Sequence, residues 1–164
     1  MEAQFIFSDI DNFWEAYDQM KDFKNPFSGY IEKGSPGLVD FIPYRIESAK
    51  NLKRVVKRNS NIYESVRDYS NQLEQYKSEI ISYYQNPKEL YSPAVFPPTY
   101  FVMGALNSGC TASDNGLIIG VDVAGQKKNI PIMVAHELIH LTKCRHPIKL
   151  PYLIKVFLRE QQIL

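Results

Sequence analysis

The chain has 164 residues, 45% hydrophobic and 23% charged, a composition that excludes a fibrous or disordered protein and fits one domain. Nineteen basic against eighteen acidic residues leave a net charge of +1, without the basic excess a nucleic-acid binder uses to neutralise phosphates. No apolar run approaches the roughly 18 residues of a transmembrane segment, and Met1–Phe5 lacks the basic start and apolar stretch of a secretory signal, which leaves the compartment open. The two cysteines, Cys110 and Cys144, are too few for a disulfide framework and read as reduced, half-buried thiols.

The first half, residues 1–92, reads as mostly helical. Ser8 and Asp11 frame a helix start, followed by Ile10, Phe13, Trp14, Tyr17 and Met20 at helical spacing. Pro26, Gly29 and Gly34 mark residues 23–34 as a loop. Ser35-Pro36 is a cap with proline in the first turn, and Leu38, Val39, Ile42 and Ile46 form the stripe that follows. A short helix over about residues 48–58 carries Lys50, Lys53, Arg54, Lys57 and Arg58 on a solvated face. Ile62, Val66, Tyr69, Leu73, Tyr76, Ile80 and Tyr83 step by fours and threes and predict one long helix over residues 60–84, packed on its own domain rather than in a coiled coil.

The second half, residues 93–164, changes character. Thr99–Met103 and Leu117–Val123 are rich in β-branched and aromatic residues and read as strands. Between them, Asn107-Ser108-Gly109 and Ser113-Asp114-Asn115-Gly116 are turn signals, and the polar Asn107, Ser108 and Thr111 read as part of a hairpin connection or as the border of a site. Pro131 opens a helix that runs to about Lys143, and a last helix starts near Pro151. The expected class is α+β: a helical N-terminal half, then a small sheet whose edge strand, Leu117–Val123, packs beside the Pro131 helix.

That helix contains His136-Glu137-Leu138-Ile139-His140, an H-E-x-x-H motif. Side chains four apart lie one above the other on a helix, so both imidazoles can reach one Zn²⁺. Glu137 is offset from His136 by about 100°, beside the metal rather than on it, where its carboxylate can take a proton from water activated on the ion. A catalytic zinc needs a third protein ligand, and two residues compete for that place. His146 has the right distance from His140 for an H-x-x-G-x-x-H pattern, but Lys143 stands where a glycine is needed for the turn, and no methionine follows Met133. Glu160 follows Leu153, Val156 and Phe157 by seven, four and three positions, so its acid projects from an apolar helix face. An unpaired carboxylate there is costly, which favours Glu160 as ligand over His146.

The stretches GALNSGCTASDNGLIIGVD (104–122) and VAHELIHL (134–141), with SDIDNFWEAYD (8–18) and EKGSPGLVDFI (32–42), resemble uncharacterised bacterial zinc-dependent peptidases of the gluzincin type. The resemblance extends over most of the chain. It implies one zincin-like domain over residues 1–164, zinc as cofactor, His136 and His140 as ligands with Glu160 as third, Glu137 as catalytic base and a peptide or protein as substrate. Relatives of this type read Arg-Glu-Gly-x-Ala-Asp-Phe in the last helix. Here Arg159-Glu160 matches, but the aspartate falls on Leu164, and the helical subdomain expected beyond it is absent from the sequence. The resemblance further implies an extended peptide paired along the strand at Leu117, Ile118, Ile119 and Gly120. The other class consistent with the motif is a zincin-like module that binds zinc or a protein without cleaving it.

Overall fold

The computed structural model describes residues 4–21, 25–82, 97–128, 130–134 and Glu137. The fold is α+β, a four-stranded mixed sheet with helices packed on it. Strands β1 (Phe5–Ile6), β2 (Thr99–Val102), β3 (Cys110–Ser113) and β4 (Gly116–Gly120) stand in the order β1-β2-β4-β3. β1 and β4 both run parallel to β2, and β3 pairs antiparallel with β4.

Helix α1 (Ser8–Asp18) buries Ile10, Phe13, Trp14 and Tyr17, one stripe at helical spacing. Phe13 is ringed by Trp14, Tyr17, Phe27, Tyr30 and Tyr63, with centroids 5.2–6.1 Å away. The start of α1 differs from the expected Ser8 and Asp11 signal. The cap position is Phe7, which supplies no side-chain bond, and the buried Asp9 in the first turn accepts from the backbone N–H of Ser35 at 3.1 Å and from its hydroxyl. Ser35 Oγ in turn accepts from Leu38 N at 3.3 Å and caps α3 (Pro36–Phe41). One acid therefore fixes the first turn of α1 to that of α3.

The segment expected as a loop contains α2 (Phe27–Glu32), because Phe27 and Tyr30, one helical turn apart, both bury while Pro26 sits harmlessly just before the first turn. Beyond α3 the chain widens into a π-turn, Ile42–Ile46, with Pro43 inside it. Proline has no N–H to continue the α-helical ladder, and Glu47 N donates to Ile42 O at 2.7 Å, an i+5 bond, with Glu47 at φ 67°. α4 (Ala49–Arg58) is capped by Ser48, whose hydroxyl accepts from Asn51 N, and buries Leu52 and Val56. Lys50, Arg54, Lys57 and Arg58 are exposed, the solvated face expected of them.

The single long helix is interrupted. α5 (Ser60–Asn71) ends at Gln72, a 3₁₀ turn follows at Leu73–Tyr76, and residues 77–82 (α6) are helical again. Ser70 Oγ donates to Arg67 O at 2.7 Å and accepts from Trp14 Nε1 at 2.8 Å, a side-chain alternative to the helix ladder at its last turn.

The largest correction concerns the strand expected at Leu117–Val123. It ends at Gly120, and Val121–Ala124 (α7) form a helical turn. β4 is also not an edge: β2 covers one side, β3 the other, and all five of its residues are buried. Leu117, Ile118, Ile119 and Gly120 therefore present no open backbone to a peptide. β3, expected as a loop between turn signals, is the outer strand among the described residues.

Candidate active site

Residues 130–134 (α8) are helical, as is Glu137, in keeping with a helix at Pro131. Met133 and Glu137 are four apart and face the start of β3. A Cβ at Gly109 would lie 3.1 Å from the Met133 methyl, and Cys110 Sγ donates to Glu137 Oε1 at 3.1 Å. Burial, and then the carboxylate beside it, push the Cys110 thiol up to about 12. The thiol therefore stays protonated at neutral pH and remains a donor to Glu137. Cys110 is free and half-buried, as expected of it.

The connection from β2 to β3, residues 103–109, is held by buried polar side chains. Tyr30 Oη donates to Met103 O at 2.9 Å and accepts from Met103 N at 3.1 Å; Tyr63 Oη donates to Gly104 O at 2.8 Å. The Asp122 carboxylate accepts from Gly104 N at 2.9 Å and from Leu106 N at 2.7 Å, and Leu106 is held at φ 60°. Burial raises Asp122 to about 6 despite those N–H donors, and burial likewise pushes both tyrosines well above their ordinary range. Asn107 Nδ2 donates to Arg45 O at 2.9 Å, and Ser108 Oγ to Cys110 O at 3.1 Å. These polar residues thus fasten the strand to its surroundings, while Thr111 lies in β3 itself.

β3 has a free side. Leu117 N bonds toward β2, to Pro98 O, and Gly120 N bonds toward β3, to Gly109 O, so Thr111 faces its partner Ile118 and the alternate residue Ala112 turns its backbone N–H and C=O away from β4. Ala112 is exposed.

Of the expected site residues, Glu137 is brought beside the start of β3. His136, His140, His146 and Glu160 lie outside the described residues, as does Cys144. Among the described residues no group of three His, Cys, Asp or Glu side chains is placed to hold a metal, and no helix is long and apolar enough to cross a membrane. Cys110 was missed as a neighbour of Glu137. The pairing across 27 positions leaves no trace in local periodicity. No family model, curated protein or solved structure matches the chain.

Proposed function

We propose that this chain is a zinc-dependent peptidase with a zincin-like fold, in which Glu137 activates water against a peptide bond. The observation that carries the reading is the position of Glu137. It is the acid of H-E-x-x-H, it is helical, and its carboxylate lies against the first residue of β3, the outer strand among the described residues. The donor set His136, His140 and Glu160 suits Zn²⁺, two imidazoles and a carboxylate with one position left open. When bound, zinc supplies the positive charge that acidifies water and polarises the scissile carbonyl.

The chain's own groups do the rest. An extended peptide pairs with the outward N–H and C=O of Ala112, which replaces the inner strand β4 as the substrate edge. Glu137 takes the proton from water as it attacks and returns it to the leaving amine. Cys110 holds one carboxylate oxygen and leaves the other for the water. The Asp122, Tyr30 and Tyr63 bonds keep the segment before β3 from shifting as the peptide binds.

The test is zinc content of the purified protein together with hydrolysis of an unstructured protein substrate, with and without chelator. Cleavage that chelator stops, zinc restores and Glu137→Gln abolishes is the expected result. Stoichiometric zinc without cleavage would favour the module that binds but does not cut, and cleavage that survives Glu137→Gln would sink the assignment.

A further inference from the structure

A groove of about 820 Å³ runs along β3 on the face opposite Glu137. Successive strand residues point to opposite faces, so Thr111 and Ser113 line this groove while Cys110 points to Glu137. The other wall is the end of α3 and the π-turn: Val39, Asp40, Pro43, Tyr44 and Arg45. That wall is fixed in place. Asn51 Nδ2 donates to Ile46 O at 3.0 Å, and Asn107 Nδ2 to Arg45 O at 2.9 Å.

The groove is polarised along its length. Arg45 is tied to Asn107, which precedes β3, and Asp40 accepts from Asn115 Nδ2 at 2.8 Å, which follows β3. Asp40 and Asp114 thus share the hairpin end, and neither is in an ion pair among the described residues. The other end carries Tyr44, 81% exposed, and Arg45, also outside any ion pair among the described residues. Val39 adds apolar surface, 53% exposed, to the same wall.

We infer that this groove selects the peptide: it receives the side chains of an edge-paired segment that point away from Glu137, and favours an apolar residue and a lysine or arginine two positions apart. The inference rests on the proposed peptide substrate, and the free edge of Ala112 is what commits the groove to an extended chain. Alternate residues of such a chain stand about 7 Å apart, which places one side chain on Val39, Pro43 and Tyr44 and the next at the Asp40 and Asp114 carboxylates. A second basic residue at the Tyr44 end meets Arg45 and is rejected.

Binding is read apart from chemistry, on the full chain carrying Glu137→Gln, by fluorescence anisotropy of labelled nonapeptides. The peptides contain leucine and lysine two apart, in either order, or the same sequences with lysine replaced by glutamate. The expected result is binding about tenfold tighter with lysine than with glutamate. The preference should vanish in Asp40→Asn/Asp114→Asn, and affinity for both peptides should fall in Tyr44→Ala, a solvent-facing change that leaves the core intact. Equal affinity for both peptides, a preference that survives the double substitution, or no binding of any peptide overturns the groove assignment. Cleavage by the unsubstituted chain is scored separately. Selective binding without chelator-sensitive cleavage sinks the peptidase reading alone, and cleavage without discrimination sinks the groove alone.

Discussion

Cys110, the first residue of β3, and Glu137 meet thiol to carboxylate at 3.1 Å. With the thiol held at about 12, its thiolate fraction at pH 8 is about a thousandfold below that of an ordinary cysteine. Alkylation of Cys110 should therefore be slow, followed residue by residue by mass spectrometry. In Glu137→Gln the anionic neighbour is gone but burial remains, so the reaction should accelerate without reaching the rate of an unfolded chain. Equal rates in the two proteins would mean that the contact is not made in solution.

The Asp122 carboxyl gives the fold a pH dependence of defined sign. Its value is about 6 folded against 3.8 in the free side chain, chiefly through burial. The folded state thus binds more protons than the unfolded state between those limits, and stability falls as pH rises from about 4 to about 6. The difference corresponds to about 3 kcal/mol. Asp9, also raised by burial, adds in the same direction. Urea midpoints at several pH values across that window should slope downward, and Asp122→Asn should flatten the slope while weakening the hold on Gly104 and Leu106. An unchanged slope in that variant would place the titration elsewhere.

These buried polar contacts were the least visible part of the fold in the sequence. Asp122 reads as the end of a strand until the 103–109 segment is seen folding over it. Helix positions were legible because Ile10, Phe13, Trp14 and Tyr17, or Leu52 and Val56, repeat at the helical period. The break at Gln72 was hidden because a 3₁₀ turn also keeps i and i+3 on one face, so Leu73 and Tyr76 continue the stripe through it. The place of β4 could have been read. Leu117-Ile118-Ile119 is an unbroken apolar run, the pattern of a strand buried on both faces, whereas Cys110-Thr111-Ala112-Ser113 is polar enough for an edge. Asp114-Asn115 joining the two is a hairpin turn, with Ser113 Oγ accepting from Asn115 N at 3.2 Å.

The proposed third zinc ligand can be tested by substitution. In sequence, Glu160 follows Leu153, Val156 and Phe157 by seven, four and three positions, a spacing that on a helix would put the carboxylate on an apolar face, where it is costly unless a cation or donors compensate it. If zinc is that cation, Glu160→Ala removes a direct ligand. Loss of zinc affinity should then be at least about tenfold, since changes to groups that merely orient ligands already reach that scale. His146→Ala should leave affinity close to that of the parent chain, because Lys143 occupies the place where the metzincin-like turn needs a glycine. Competition against a chromogenic chelator at fixed pH measures both variants without any assay of cleavage. Glu160→Gln adds a control. It keeps the volume and one carbonyl acceptor but loses the charge, so affinity should fall here too if the carboxylate binds the ion. The reverse order, with His146→Ala the more damaging change, would assign the third position to His146 and leave Glu160 on the apolar face without a cation to hold it.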